Sequence, residues 1–98
     1  MSLLGRTRQG QGARDRRPVR YVTFYTKPGC HLCEYAEELL EDAWPDYDLR
    51  VTAIDITTDL TLFERYRYDI PVIVVESGAA VSGRITAAGL RQALESVT

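Results

Sequence analysis

The apolar and polar positions switch between two periods along the chain. After Arg20, Tyr21-Val22-Thr23-Phe24-Tyr25 is an aromatic and β-branched run that predicts a strand. Thr26-Lys27-Pro28-Gly29 breaks it, with the Pro-Gly pair marking a sharp turn. Leu32, Ala36, Leu39, Leu40, Ala43 and Trp44 then recur at helical spacing, while Glu34, Glu37, Glu38, Glu41 and Asp42 fill the other face. Pro45 ends this helix. A second strand is expected over 49–55, with Val51, Ala53 and Leu49 facing one way and Ile54 and Ile56 the other. Thr57-Thr58-Asp59 offers cap chemistry for a short helix from 60 to 66, with Thr61 and Glu64 at capping-box spacing as a second option. Ile70-Pro71-Val72-Ile73-Val74-Val75 is a continuous apolar run, as in a buried strand, and Ser77-Gly78 turns it into a brief strand over 80–84. Thr86 caps a last helix whose buried stripe is Ala87, Leu90, Ala93, Leu94 and Val97.

The element order is therefore β-α-β-α-β-β-α. The first β-α-β unit implies parallel pairing through a right-handed crossover, and the Ser77-Gly78 hairpin implies antiparallel pairing. The expected architecture is α/β, a four-stranded mixed sheet flanked by helices on both faces. At 98 residues the chain has room for one domain that can bury a core without metals or disulfides. That domain is expected over 20–98. Residues 1–19, rich in Gly, Gln and Arg, carry neither period and form a disordered basic tail in this reading.

Charge sharpens the division. Residues 1–20 balance to +5 and residues 21–98 to −7, so the net charge of −2 hides a basic tail on an acidic domain. An acidic domain repels phosphates, which argues against nucleic acid as a partner. No apolar run approaches the ~18 residues of a membrane span, and Met1-Ser2-Leu3-Leu4 is too short for a secretory signal. A cytoplasmic monomer is expected.

The two cysteines stand as Cys30-His31-Leu32-Cys33, where a strand ends and a helix begins. Unpaired N–H groups and the positive end of the helix dipole stabilise an anion there. A thiolate is such an anion, so Cys30 is expected to titrate in the ~3.5–7.5 range of activated thiols and to attack disulfides. Cys33, one turn on and on the same face, can attack the resulting mixed disulfide and release the product. It is expected to be the more buried of the two. His31 between them is read as a solvent-facing residue that tunes the potential. Lys27 either meets a substrate carboxylate or is a solvated loop lysine. A closed zinc site needs four ligands, and two cysteines with one histidine supply too few, so a metal or cluster would require a second chain or an external thiol. Ile70-Pro71 is the other candidate feature. A trans proline on an unpaired first strand position is the simpler reading. A cis bond would set the Ile70 backbone beside the thiols as a pairing edge for an extended substrate.

The segment Phe24-Tyr25-Thr26-Lys27-Pro28-Gly29-Cys30-His31-Leu32-Cys33 resembles the active-site segment of glutaredoxins, and Asp69-Ile70-Pro71-Val72 resembles their second signature. With the element order, the resemblance covers residues 20–98. It is nearest to the short glutaredoxin-like proteins with a Lys-Pro-Gly-Cys-His-Leu-Cys segment, within the thioredoxin-like superfamily. The resemblance implies a glutaredoxin-type fold, attack by Cys30, resolution by Cys33, a cis Pro71 and a Lys27 able to meet a glutathione carboxylate. Three positions depart from the family pattern. His31-Leu32 replaces Pro-Tyr, Ile70 replaces Thr, and Ser82-Gly83-Arg84-Ile85-Thr86 lacks the acidic residue that grips glutathione's amino end.

The sequence thus points to a thiol–disulfide oxidoreductase working on protein or small-molecule disulfides. No cofactor is tightly bound in this reading, and glutathione is a candidate reductant. Two rivals use the same cysteines: a cluster- or metal-binding dimer, and a non-catalytic thioredoxin-like interaction module.

Overall fold

The computed structural model describes residues 16–96. The elements run β1 (Val19–Thr26), α1 (His31–Ala43), β2 (Asp48–Asp55), a 3-10 turn (Ile56–Thr58), α2 (Leu60–Tyr66), β3 (Val72–Val75), β4 (Ala80–Ser82) and α3 (Ala87–Glu95). The strands form one mixed sheet in the order β2-β1-β3-β4. β1 pairs parallel with β2, as the α1 crossover requires, and antiparallel with β3, which pairs antiparallel with β4.

Alternate residues of β1 serve different layers. Val22 and Phe24 pair with Val75 and Ile73 in the β3 register. These four side chains are buried in one cluster with Ala36 and Leu40 of α1 and Leu90 and Leu94 of α3. Tyr25 points to the opposite face, where its ring stacks on Tyr66 of α2 at 4.3 Å between centroids. α2 thus covers the sheet face that α1 and α3 leave open, so helices flank both sides.

Helix starts follow the side-chain chemistry of the sequence. Asp59 caps α2 by accepting the Leu62 N–H at 3.1 Å, so the capping box at Thr61 and Glu64 is not used. Thr86 caps α3 by accepting the Gly89 N–H at 3.0 Å. Replacing Thr86 with alanine is expected to cost about 1 kcal/mol. Urea unfolding of the variant, with unchanged slope and a lower midpoint, checks this.

Several expectations are corrected. Leu32 is not part of the buried stripe but is 36% exposed, because in the first turn of α1 the buried position is taken by Cys33. Ala87, in the first turn of α3, is exposed as well, and Val97 lies outside the described residues. Ile56 belongs to the 3-10 turn, where it is fully buried. The apolar run 70–75 becomes a strand only from Val72, and β4 stops at Ser82.

The start of the domain also moves. β1 begins at Val19, and the Asp48 N–H donates to the Pro18 carbonyl at 2.9 Å, continuing the β1–β2 ladder. The Arg17 guanidinium donates to the carbonyl oxygens of Trp44 and Tyr47. Arg17 and Pro18 are therefore packed on the domain and not in the tail; residues 1–15 lie outside the described residues.

Candidate active site

β1 delivers the chain to a tight turn and then to the start of α1. Gly29 completes the turn at φ +74°, a left-handed conformation that side chains disfavour, although a Cβ there would meet nothing within 4 Å. Cys30 follows in extended conformation as the N-cap of α1. Its Sγ accepts the Cys33 N–H at 3.1 Å, and its carbonyl accepts the Glu34 N–H at 3.0 Å. The sulfur therefore occupies the place usually taken by a capping oxygen, at the positive end of the helix.

Cys30 and Cys33 are joined as a disulfide, with their Cα atoms 5.1 Å apart. Cys30 is partly exposed, whereas Cys33 is only 3% exposed and belongs to the core cluster with Ala36 and Leu40. An incoming disulfide can thus reach the first sulfur more readily than the second.

The His31 side chain is 97% exposed, and its Nδ1 lies 3.6 Å from the Glu34 carboxylate. It points into solvent, away from the buried thiol.

The Ile70–Pro71 peptide bond is cis. Val72 pairs with Tyr25, so this end of β3 lies beside the end of β1 that leads to Cys30. The loop is held from the far side as well. The Gly83 N–H donates to the Pro71 carbonyl at 2.9 Å and to the Asp69 carbonyl at 3.2 Å. The Ile70 N–H donates to the Tyr66 carbonyl at 3.0 Å, closing the α2 end onto this loop. The N–H half of the expected pairing edge at Ile70 is therefore taken within the chain.

Lys27 lies in an open cleft of about 270 Å³ that also has Cys33, Glu34, Glu37 and Asp55 in its walls. The Asp55 carboxylate accepts the Thr57 N–H at 2.9 Å and the Thr57 hydroxyl at 2.6 Å. These two bonds hold Asp55 below the usual carboxylate range, so it stays ionised through neutral pH. Sequence reasoning singled out Lys27 but missed Glu37 and Asp55. The signal for Glu37 was present in its spacing, one turn beyond Cys33. Asp55 could not be found that way, because only the β1–β2 pairing brings the end of β2 to this cleft.

Among the described residues, no three His, Cys, Asp or Glu side chains gather into a set that could hold a metal ion. No helix among them is long and apolar enough to cross a membrane.

Residues 21–95 match the family profile described as "Glutaredoxin-like domain (DUF836)". The glutaredoxin-like protein YDR286C homolog of Dictyostelium discoideum is 28% identical over 82 residues, which cover 78% of this chain and 76% of that protein. Among solved structures, a mutant thioredoxin from Halobacterium salinarum NRC-1 superposes with a TM-score of 0.63 at 21% identity. That match covers 81% of this chain and 74% of the thioredoxin, and establishes a thioredoxin-like fold.

Proposed function

The chain belongs to the glutaredoxin-like family, and from that premise we propose that it is a thiol–disulfide oxidoreductase working through Cys30 and Cys33. The observation that carries this reading is the Cys30 Sγ at the N-cap of α1, accepting the Cys33 N–H, with the second sulfur buried behind it. In the reduced protein the same N–H groups and helix dipole favour a thiolate at Cys30.

The Cys30 thiolate attacks one sulfur of a substrate disulfide. That S–S bond breaks, the other sulfur leaves and takes up a proton, and a mixed disulfide remains on Cys30. Cys33 then gives up its proton and attacks the Cys30 Sγ. The mixed disulfide breaks, the second substrate thiol departs, and the Cys30–Cys33 bond forms. Two electrons have passed to the substrate. A dithiol reductant, or two monothiols such as glutathione, returns them.

The favoured oxidised partner is a disulfide-bearing protein in the cytoplasm. Its backbone would meet the Ile70 carbonyl beside Pro71. Lys27 is less suited to gripping a glutathione carboxylate, because Glu34, Glu37 and Asp55 share its cleft and oppose a fourth anion.

The test is stoichiometric. Reduced protein mixed with insulin is expected to lose two thiols for each insulin disulfide opened. Thiols that stay unreactive towards insulin and oxidised glutathione in the folded protein, yet react after denaturation, would rule the activity out.

A further inference from the structure

Away from the thiols, the last turns of α1 and the first turn of α3 leave an open groove of about 300 Å³ between them. Leu39 and Ala43 line it from α1, and Ala87 and Ala88 from α3. Three of these four side chains are alanines, too short to fill the space between two helices. Asp42 and Arg91 add one charge of each sign to the lining. Arg91 is held by the Asp46 carboxylate at 2.8 Å. Among the described residues no cation pairs with Asp42, or with Glu38 one turn before it on α1.

The N-terminal chain enters the domain beside this groove. The Arg17 guanidinium donates to the carbonyl of Trp44, which directly follows Ala43. Pro18 shares a second cavity with Asp46, Arg91 and Glu95, so Arg91 borders both the entry point and the groove. From Arg16 back to Leu4 is twelve residues. Extended, these span up to ~40 Å, about twice the ~20 Å length of α1, so Leu4 can reach any part of the groove. Charge favours the contact. Residues 1–16 carry Arg6, Arg8, Arg14 and Arg16 against Asp15, a balance of +3. α1 carries Glu34, Glu37, Glu38, Glu41 and Asp42 with no Lys or Arg. The same segment holds an apolar pair, Leu3-Leu4, two residues before its first arginine.

We propose that the α1–α3 groove is the docking site for this chain's own residues 3–8. Leu3 and Leu4 cover the apolar surface of Leu39, Ala43, Ala87 and Ala88, and Arg6 and Arg8 meet Glu38 and Asp42. Burial of the two leucines supplies most of the attraction. The exposed ion pairs add less and weaken with salt, but they fix which way the segment lies. Attachment at Arg17 makes the contact intramolecular, at an effective concentration in the millimolar range, which favours this segment over the same residues of a second copy. The segment whose composition suggests a disordered tail thus becomes a cover for one face of the domain, independently of the thiol chemistry.

The test is NMR of the full-length chain with labelled leucine and alanine methyl groups at low salt. The wild type is expected to give methyl NOEs from Leu3 or Leu4 to Ala87 or Ala88, and these should survive dilution. Leu3→Asp combined with Leu4→Asp should remove them and shift the amide peaks of Leu39, Ala43, Ala87 and Ala88. The peaks of Cys30 and Cys33 should stay in place, which separates loss of docking from loss of fold. Charge reversal on one side alone, Arg6→Glu with Arg8→Glu or Glu38→Arg with Asp42→Arg, should weaken the NOEs by about threefold. Combining all four substitutions should restore them. Absence of these NOEs in the wild type, with the groove peaks unmoved in the leucine variant, overturns the proposal. NOEs that fade on dilution and arise between differently labelled copies also overturn it, since a second copy would then be the occupant. Failure of the fourfold variant to recover overturns the pairing of Arg6 and Arg8 with Glu38 and Asp42.

Discussion

Replacing Cys30 with serine is expected to reduce disulfide exchange to background while leaving the fold in place. Serine is a favoured N-cap, and its hydroxyl oxygen can accept the Cys33 N–H that Sγ accepts now at 3.1 Å. The loss is therefore chemical and not structural, and circular dichroism of the variant should match that of the reduced wild type. Cys33→Ser keeps the attacking sulfur and is expected to stop after the first step. Iodoacetamide labelling of the reduced wild type supplies the reason. Cys30 should react first, with a midpoint below the ~8.5 of a free thiol, because the helix start favours its anion. Cys33, buried in the core cluster, should react later. The opposite order of labelling would reverse the two roles.

Phe24→Ala is expected to be the most damaging single change outside the cysteines, costing about 3–5 kcal/mol. Phe24 is 3% exposed on the central strand β1, opposite Ile73, and packs in the cluster that joins the sheet to α1 and α3. A domain of this size holds roughly 5–15 kcal/mol in all, so the variant sits near the limit of folding. Calorimetry should show a fall in Tm of more than about 10 °C. A loss below about 1 kcal/mol would mean that the cluster does not hold the domain together. The first thiol step, measured on the fraction that remains folded, should change little, since Phe24 takes no part in the cap that holds the Cys30 sulfur.

Features whose cause is local were legible in the sequence. Thr86 capping α3, the Ser77-Gly78 turn and the helix that ends near Pro45 all follow from side-chain chemistry within a few residues. The position of Cys30 at a helix start was readable for the same reason, because Pro28-Gly29 must break the strand. What failed to show depended on partners distant along the chain. Leu32 fits the helical stripe by spacing, and its exposure reflects how α1 is turned on the sheet, which buries Cys33 in its place. Arg17 carries no apolar signal, yet the carbonyls of Trp44 and Tyr47 hold it on the domain. The engaged N–H of Ile70 depends on how α2 ends, at Tyr66, which no pattern around Ile70 reveals. The cleft at Lys27 and Cys33 needs the β1–β2 pairing to supply Asp55.

The central claim is that Cys30 carries the substrate and Cys33 releases it. The most direct measurement is mass spectrometry of the two single-cysteine variants after each is mixed with a disulfide-containing peptide. Cys33→Ser is expected to accumulate a mixed disulfide of protein and half the peptide pair, on the tryptic fragment that holds Cys30, and to release it when dithiothreitol is added. Cys30→Ser is expected to stay unmodified under the same conditions. An adduct on Cys33 in the Cys30→Ser variant, with none on Cys30 in the other, would contradict the account.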